Sequence, residues 1–353
     1  MTNAVNIAQG GSNNVTMRNR IINGAMVIDQ RNAGASITPS ADGYTLDRWI
    51  YQASQTSKFT IQQNKGSLTG TNLPVGFQNY LGMSVASAVT IGSSDYFMIS
   101  QYVEGFNTAD FQWGTTNAKT VTLSFQVYSS LTGTFGGALQ NSASDRSYPF
   151  SYTISSANTW TTISVTIAGD TSGTWIGATN GIGIRVRFGL GVGTTLSGTA
   201  GAWNGSNNFS ATGAVSVVGT SSATFYITGV QLEAGTTASP FEYRQYGTEL
   251  ALCQRYYFGN FYGQGGVCFD SVTLPISLRM PVYMRAAPSF SLKSGSNVTT
   301  DVYGGGGTSS ATIGFTDQFS PIAFRVSIGQ SSGGIRGVFF SITNDNIQVS
   351  AEL

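Results

Sequence analysis

The chain has 353 residues, of which 9% are charged, and 17 Lys and Arg against 16 Asp and Glu give a formal net charge of +1. So weak a charge supplies no field to attract nucleic acid or an anionic membrane surface, and we expect neither partner. Histidine is absent, which excludes Ser-His-Asp and Cys-His catalysis and nearly every zinc site. A pair of carboxylates is the main resource left for an enzyme.

The first 17 residues, "MTNAVNIAQGGSNNVTM", are polar and lack the basic and apolar regions of a secretory signal. Nowhere does the chain contain the ~18 consecutive apolar residues of a membrane-spanning helix. We therefore expect a protein that is made in the cytoplasm of its host cell and is not exported through a signal peptide. The two cysteines, Cys253 and Cys268, are too few for a disulfide framework, and we expect both to be buried thiols.

Short segments that alternate apolar with polar residues recur along the chain, separated by turns rich in Gly, Ser, Thr and Asn. In "TVTLSFQVYSS" one face carries Val121, Leu123, Phe125 and Val127. The stretches "TTISVTIAG", "GIGIRVRFGLG" and "TFYITGVQLEAG" repeat this period of a half-buried strand, with Arg185 and Arg187 on an outer face and a bulge expected at Gly229. Many short strands punctuated by turns predict an antiparallel β-sandwich or jelly roll.

One stretch, "PFEYRQYGTELALCQRYY" at residues 240–257, has helical spacing instead. Leu250, Cys253 and Tyr257 fall on one helical face, and Gly247 or Thr248 is the expected N-cap. Strand patterns resume after it, and a chain of this length favours two domains. We therefore predict an all-β protein with a jelly roll over residues 18–246, a short linking helix over 247–258 and a second, smaller β-sandwich over 259–353.

Charged residues crowd around that helix: Glu242, Arg244, Glu249 and Arg255. One interpretation is that a glutamate and an arginine among them pair and fix the angle between the two domains. The alternative is a set of solvated surface charges, because exposed ion pairs contribute only about 0–1 kcal/mol. The aromatic run "RYYFGNFYG", residues 255–263, is too dense to be wholly exposed, so we expect it at the domain junction or against a neighbouring subunit.

Three stretches have a recognisable pattern of residues. The first is "RNRIINGAMVIDQRNAG" with "GYTLDRW", from Arg18 to Trp49, in which Trp49 is expected in the core. The second is "FYITGVQLEAGTTASPFEYRQYGTELALCQRYY", and the third is "MPVYMRAAPSFSL" with the terminal "VSAEL". Together they resemble tail fibre-type structural proteins of tailed bacteriophages and prophages. In that family the first two stretches open and close a jelly roll similar to carbohydrate-binding modules, and a second β-domain often follows.

The resemblance implies a place on the virion, on the tail or another exterior surface, and assembly into a homo-oligomer, with a trimer favoured. Residues 1–17 would then dock onto another virion protein. Because only about 17 residues precede the first signature, a short fibre, a fibre-tip adhesin or a decoration of the baseplate or head is expected rather than a long fibre.

Trp113, Trp175 and Trp203 sit among Gly, Ser, Thr and Asn, as loop residues would. Sugar recognition uses an aromatic platform against the apolar face of a pyranose, with amides and hydroxyls for its hydroxyl groups. These tryptophans are therefore candidates for glycan contact, or else each covers an open end of the sandwich. Tyr303 in "DVYGGGGTSS" and Arg336 in "GQSSGGIRG" are further candidates, at loops that can equally be plain hairpin connections.

Catalysis and metal binding have less support in the sequence. Glycan hydrolysis needs two carboxylates ~5–9.5 Å apart, and the available ones are scattered among turns: Asp95, Glu104, Asp110, Asp145 and Asp170. Glu233 points to solvent or a partner in the expected strand and is the one weak candidate for a structural calcium, so we expect no cofactor.

The leading hypothesis is a non-enzymatic virion protein, a tail fibre or receptor-binding protein that contacts host surface glycans. The first alternative is an architectural baseplate or head protein without receptor contact. The second alternative is a glycan depolymerase.

Overall fold

The computed structural model describes residues 17–68, 70–267, 273–293, 297–302, 308–319, 323–330, 339–342 and 346–353. These residues divide into two compact units. The first contains the described residues up to Val27 together with Gly34–Tyr243, and the second contains Ile28–Ala33 together with Arg244–Leu353. The structure divides the two units after Tyr243, whereas the sequence pattern placed the end of the jelly roll at residue 246. No pattern in the sequence indicated that Ile28–Ala33 belongs with the C-terminal unit.

The first unit is built from short strands joined by loops. In chain order the strands are β1 (Gly43–Tyr44), β2 (Ile50–Ala53), β3 (Phe59–Gln63), β4 (Leu81–Val85), β5 (Tyr96–Glu104), β6 (Val121–Ser129), β7 (Gly133–Gln140), β8 (Ser147–Ile154), β9 (Thr161–Ile167), β10 (Ile182–Val192), β11 (Ser197–Gly198), β12 (Ser210–Ala211) and β13 (Thr224–Ala234). Short 3-10 turns occur at Gly70–Asn72, Gly105–Asn107, Ala109–Phe111 and Thr194–Leu196.

Two antiparallel sheets enclose the core of this unit. The six-stranded sheet has the order β1-β2-β5-β10-β7-β8, and the five-stranded sheet has the order β3-β4-β13-β6-β9. The inward side chains of β6 are almost completely buried, as the alternation predicts: Val121, Leu123, Phe125 and Val127. Trp49 is also fully buried. The all-β, antiparallel sandwich class expected from the sequence is therefore confirmed.

The bulge predicted in β13 is also confirmed. The register between β13 and β6 shifts between Thr228 and Gln231, and Gly229 has a φ of 62°. A φ in the left-handed region favours glycine, because other residues place Cβ too close to the backbone there. The bulge keeps Val230 and Leu232 facing the core on the far side of the irregularity.

The first family-like signature is held against β13 by side-chain and backbone hydrogen bonds. Asn19 Nδ2 donates to the carbonyl oxygen of Val230 at 3.0 Å, and Asn19 Oδ1 accepts from the Leu232 N–H at 3.1 Å. A Cβ atom on Gly24 would lie 2.2 Å from the Val230 carbonyl oxygen, so the close approach requires glycine. The start of the described chain is thereby bound to the central strand of the five-stranded sheet.

The Asn-Gly and Asp-Arg-Trp parts of the signature bind each other. Asn23 Nδ2 donates to the Asp47 carbonyl oxygen at 3.0 Å, and Trp49 Nε1 donates to the Asn23 carbonyl oxygen at 3.0 Å. Arg48 is buried and donates to the carbonyl oxygen of Tyr102 in β5. These contacts satisfy buried polar groups, so the signature residues serve the fold of this unit.

The second unit contains one described α-helix, α1 (Tyr246–Gln254), and a second set of strands. These are β14 (Tyr257–Phe258), β15 (Gly265–Val267), β16 (Thr273–Arg279), β17 (Ser289–Leu292), β18 (Asn297–Val302), β19 (Thr308–Phe319), β20 (Ala323–Gln330), β21 (Phe339–Ile342) and β22 (Ile347–Ser350). They form antiparallel sheets with the orders β14-β22-β17 and β15-β21-β18-β19-β20-β16. None of the helices in the described ranges is both long and apolar enough to span a membrane.

The helix differs from its prediction at both ends. Gln245 is the N-cap and makes no side-chain capping bond, so the prediction of Gly247 or Thr248 as the cap was wrong. The reason is that the Glu249 N–H already donates to the Gln245 carbonyl oxygen at 3.0 Å. This hydrogen bond places Gly247 and Thr248 inside the first turn of the helix. The helix stops at Gln254 and does not reach residue 258, because Tyr257–Phe258 pairs with β22 as a strand.

The aromatic run after the helix is buried at four positions: Tyr256, Tyr257, Phe258 and Phe261. Tyr262 is 65% exposed. Within the second unit, the Arg31 guanidinium lies 3.7 Å from the Tyr257 ring centroid and also pairs with Glu352 at 2.7 Å. Arg31 of the first signature therefore contacts both the Tyr257 ring and Glu352 near the end of the chain. Cys253 is fully buried in this unit, and Cys268 lies outside the described residues.

Candidate functional site

The three candidate tryptophans lie in three different loops. Trp113 follows β5, Trp175 lies between β9 and β10, and Trp203 lies between β11 and β12. The start of β6 pairs with the end of β9, and the end of β5 pairs with the start of β10. The first two loops therefore leave the sandwich at the same end, and Trp203 joins them there.

The three indole rings pack against one another, and we call them the tryptophan cluster. Ring centroids are 4.8 Å apart for Trp113 and Trp175, 5.2 Å apart for Trp113 and Trp203, and 5.3 Å apart for Trp175 and Trp203. All three contacts are edge-to-face, the favoured geometry for aromatic pairs. Tyr148 of β8 packs on Trp203 at 5.2 Å in the same manner.

The members of the cluster differ in exposure. Trp113 is 7% exposed and donates its indole N–H to the Lys119 carbonyl oxygen at 2.8 Å. Trp175 and Trp203 are half-buried, and Trp203 Nε1 donates to the Ala168 carbonyl oxygen at 2.7 Å. Burial leaves Trp113 little surface for a ligand, so it supports the two other rings from below. Trp175 and Trp203 keep ring surface at the solvent boundary.

An ion pair holds the loop that carries Trp175. Arg146 Nε and Nη2 donate to the two carboxylate oxygens of Asp170, each at 2.7 Å, and the Asp170 side chain is 3% exposed. The hydrogen bond that Arg146 donates to Asp170 raises the pKa of the Arg146 guanidinium above its usual value. Asp170 also accepts from the Ser172 N–H at 3.1 Å and from Trp175 Nε1 at 3.3 Å. The ion pair therefore orients the indole of Trp175.

A small cavity of ≈ 40 Å³ lies beside Trp113 and Trp175, with Phe111, Ile176 and Ile184 among its lining residues. This volume suits only a few water molecules. A pyranose ring is far larger, so a sugar cannot enter the cavity. Any glycan bound at this end of the sandwich has to lie across the exposed ring surfaces.

The loops around the half-buried rings expose small polar groups. Exposed hydroxyl and amide side chains next to Trp175 and Trp203 in the sequence are Thr171, Ser172, Thr174, Ser206 and Asn207. Hydroxyls and amides both donate and accept hydrogen bonds. The cluster thus offers two rigid aromatic surfaces with polar groups beside them, the arrangement that suits a sugar ring.

A second aromatic surface, absent from the sequence-based candidates, lies on the outer face of the five-stranded sheet. Tyr128 of β6 and Tyr226 of β13 are register partners and stack at 5.0 Å with 7° between their planes. Tyr80 and Trp160 pack on this pair, and Trp160 is half-buried with its indole N–H donated to Asn72. The sequence signal was available, since both stacked tyrosines occupy the outward phase of their strands.

The carboxylates considered for catalysis are engaged elsewhere. Asp95 accepts hydrogen bonds from the Gly92 N–H, Ser54 and Gln55, and the bond from Gly92 is the main reason that its pKa is lowered. Asp110 pairs with Arg20 at 2.7 Å. Asn141 donates to Asp145, the bidentate pair occupies Asp170, and Glu104 is 1% exposed. Each described contact joins a carboxylate to a turn or to a neighbouring side chain of the same unit.

The charged residues around the helix have separate partners. Arg244 pairs with Glu249 at 3.3 Å inside the second unit, with both side chains about 10% exposed or less. Glu242 accepts from the backbone N–H groups of Arg18 and Asn19 at 3.3 and 2.8 Å inside the first unit. Arg255 Nη1 donates to the Tyr283 carbonyl oxygen at 3.5 Å. That such pairs fix an angle between domains stays a prediction.

Glu233 is 3% exposed, so the expectation that it points to solvent or a partner was wrong. Its carboxylate accepts from Gln231 and from the Ser239 N–H, each at 2.8 Å, and Arg18 lies 3.7 Å away. An arginine beside the carboxylate disfavours a cation there, because like charges repel. The described ranges contain no group of three or more His, Cys, Asp and Glu side chains that could hold a metal.

Three of the sequence-based predictions concern parts of the chain outside the described residues. Tyr303 and Arg336 lie outside the described residues, and so does almost all of the proposed docking segment 1–17.

No protein-family model matches the chain, and no curated protein matches it in sequence. Three solved structures resemble it in part. A putative sugar binding protein from Bacteroides thetaiotaomicron aligns with 62% of this chain and 100% of its own, at 12% identity and a TM-score of 0.35. The family 11 carbohydrate-binding module of a cellulosomal cellulase from Clostridium thermocellum aligns with 59% of this chain and 100% of its own, at 12% identity and a TM-score of 0.28.

The third is the enzymatically active domain of tailspike protein 4 of bacteriophage CBA120. It aligns with 62% of this chain, at 10% identity and a TM-score of 0.33. The aligned part is 21% of the tailspike chain, so this protein spans about a fifth of that structure. Structural similarity at such low identities and TM-scores supports no conclusion about function.

Proposed function

We propose that the first unit is a carbohydrate-binding domain of a tailed-phage virion protein, and that it contacts host surface glycans through Trp175 and Trp203. The observation that carries the proposal is the tryptophan cluster. A buried indole and a bidentate ion pair hold two half-buried indoles in fixed positions beside exposed hydroxyls and amides. Rigid aromatic surfaces bind at low entropic cost, because little side-chain freedom is lost when the ligand arrives.

The place on a virion rests on the sequence signatures, which resemble those of tail fibre-type proteins. Binding without cleavage is part of the proposal. It is supported by the engagement of Asp95, Asp110 and Asp170 in structural contacts, since a general acid or nucleophile has to be available to the substrate. Assembly into a homo-oligomer, with a trimer favoured, and docking through residues 1–17 complete the proposal.

Glycan-array and whole-cell binding by the full chain test the proposal. We expect Trp203→Ala and Trp175→Ala each to weaken binding about tenfold or more, because an aromatic anchor at the centre of a small interface carries much of its energy. Trp203→Phe should retain part of the affinity, since it preserves apolar packing. Near-ultraviolet circular dichroism of each variant checks that the unit is folded.

Trp160→Ala is the matched control. Trp160 is also a half-buried tryptophan that packs on tyrosines and donates its indole N–H to a backbone carbonyl, but it lies on the outer face of the five-stranded sheet. We expect its removal to leave glycan binding unchanged. Loss of binding in Trp160→Ala alone would move the site to that sheet face. Absence of binding by a folded oligomer would favour the architectural role, and new reducing ends in the bound glycan would favour a depolymerase.

A further inference from the structure

Arg187 is a buried cation on the outer face of the six-stranded sheet. The alternation in β10 predicts that this side chain points away from the core, yet it is only 4% exposed. Its guanidinium carbon lies 4.2 Å from the Phe209 ring centroid, and Nη1 contacts Met98 Sδ at 3.3 Å. Its Nε atom is buried without a hydrogen-bond partner. The loop between β11 and β12 supplies Phe209 and covers the guanidinium face.

Three other arginines of the first unit have a carboxylate partner: Arg18 with Glu233, Arg20 with Asp110, and Arg146 with Asp170. Among the residues that the structure describes, no carboxylate lies within 4.0 Å of Arg187. A buried charge without a partner is costly, and an unsatisfied buried donor in a native protein calls for an explanation such as an ion that binds there.

The electrostatic surroundings of Arg187 contain both signs of charge. Burial is the main reason that the pKa of Arg187 is lowered to about 10, and the neighbouring Arg185 also lowers it. Tyr102, Asp42 and Tyr96 oppose this shift. The Asp42 carboxylate is already used, because it accepts from the Ala53 N–H at 3.0 Å and from Gln52 at 3.1 Å. The carboxylate that acts electrostatically on Arg187 is therefore already engaged.

Groups suited to a polar ligand surround the two arginines. Arg185 lies two residues from Arg187 on the same face of β10, and its guanidinium is 5.4 Å from the Tyr102 ring centroid. The Tyr102 hydroxyl donates to Gln52 Oε1 at 3.0 Å. Tyr96 packs edge-to-face on Phe209 at 5.7 Å. Aromatic rings, a phenol and an amide thus flank a pair of cations.

We propose that this surface, defined by Arg185, Arg187, Tyr96, Tyr102 and Phe209 and called here the arginine face, binds an oxyanion carried by a saccharide. The oxyanion is the carboxylate of an acidic sugar or a phosphate ester on a sugar. Guanidinium donors lie in the plane of the group, so the Nε edge can bind an oxygen. Access to this edge requires the Phe209 side chain to move off the guanidinium, which its ring centroid approaches to 4.2 Å.

The inference rests on the proposed glycan-binding function but uses a different surface, so the two can fail separately. The full chain is titrated calorimetrically with oligogalacturonate, with neutral oligogalactose, with mannose 6-phosphate and with inorganic phosphate. We expect one anionic saccharide to bind about tenfold or more tightly than its neutral counterpart, with affinity that falls as salt is added. Preference for oligogalacturonate assigns a carboxylate, and preference for mannose 6-phosphate assigns a phosphate ester.

Arg187→Met separates a binding role from a structural one. Methionine is unbranched and apolar, so it fills the space without an unpaired charge, and the variant should melt at or above the temperature of the parent. Its affinity for the anionic saccharide should fall about tenfold or more, while Trp203→Ala should retain that affinity. Arg244→Met is the matched control, because Arg244 is a buried arginine with a carboxylate partner. It should lower the melting temperature and leave saccharide binding unchanged.

Two results would overturn the inference. One is a parent chain that binds no anionic saccharide more tightly than the neutral one. The other is an Arg187→Met variant that is less stable or unfolded, together with an Arg187→Lys variant that restores stability without changing affinity. That pair of results would make Arg187 a structural support for the Phe209 loop.

Discussion

Replacing Trp113 with alanine is expected to lower the free energy of unfolding of the first unit by about 3–5 kcal/mol. The Trp113 indole is 7% exposed and makes edge-to-face contacts with both Trp175 and Trp203. Alanine removes these contacts and leaves a void between three loops that the strands hold in place. It also deprives the Lys119 carbonyl oxygen of its donor, and losing this partly buried hydrogen bond adds to the cost.

Urea unfolding followed by near-ultraviolet circular dichroism measures this change. Trp203→Ala is the control with the same substitution, and its half-buried side chain should cost about half as much or less. A Trp113→Ala variant within about 1 kcal/mol of the parent would contradict the packing described for the cluster. We expect that variant to lose glycan binding as well, because the two outer rings lose their common support.

Replacing Arg146 with methionine is expected to lower the free energy of unfolding by about 3 kcal/mol. The change leaves the Asp170 carboxylate buried, at 3% exposure, with the Ser172 N–H and the Trp175 indole as its remaining donors. A buried carboxylate without a cation is strongly destabilising, because the desolvation cost is no longer offset by the ion pair. Glycan binding should fall too, since the ion pair orients Trp175.

The double variant Arg146→Met with Asp170→Asn tests the cause. Removing both charges costs less than removing one, so the double variant should recover more than half of the stability lost by the single one. Equal stability of the single and double variants would show that packing around Arg146, and not the ion pair, is responsible. Gly173 is close enough to contribute such packing, because a Cβ there would lie 2.4 Å from Arg146 Cγ.

Local patterns predicted most of the first unit. The alternation of Val121, Leu123, Phe125 and Val127 is a property of neighbouring residues, and a strand with one buried face is its direct consequence. The bulge at Gly229 was also readable, because glycine inside a strand pattern marks a break in the pairing. The helix was located, but its cap was not, since Gln245 makes no capping bond that sequence can reveal.

Contacts between residues that are far apart in the sequence could not be predicted from local patterns. Trp113, Trp175 and Trp203 each looked like a loop residue, and only the pairing of β5, β6, β9 and β10 brings their loops to one end of the sandwich. Likewise, the period of β10 predicts that Arg187 points outward. It cannot predict that Phe209, on a loop 22 positions further along, covers the guanidinium.

The ion pair between Arg31 and Glu352 was likewise beyond prediction from local sequence patterns. Arg31 belongs to the first signature, but its carboxylate partner is Glu352, 321 residues away. The sequence shows that both residues are charged, and residues of these types are exposed on average. The ion pair forms because Ile28–Ala33 and the end of the chain fold into the same unit, which depends on the complete topology.

The most direct test of the central claim is the response of the tryptophan indole N–H signals to glycan in 15N-labelled protein. The chain has five tryptophans, and single Trp→Phe variants assign their five signals. With the glycan identified by the array, we predict that the signals of Trp175 and Trp203 shift on titration, while those of Trp49 and Trp160 stay in place. Shifts confined to Trp160, or no shift in any indole signal at saturating glycan, would contradict the assignment of the binding surface to the tryptophan cluster.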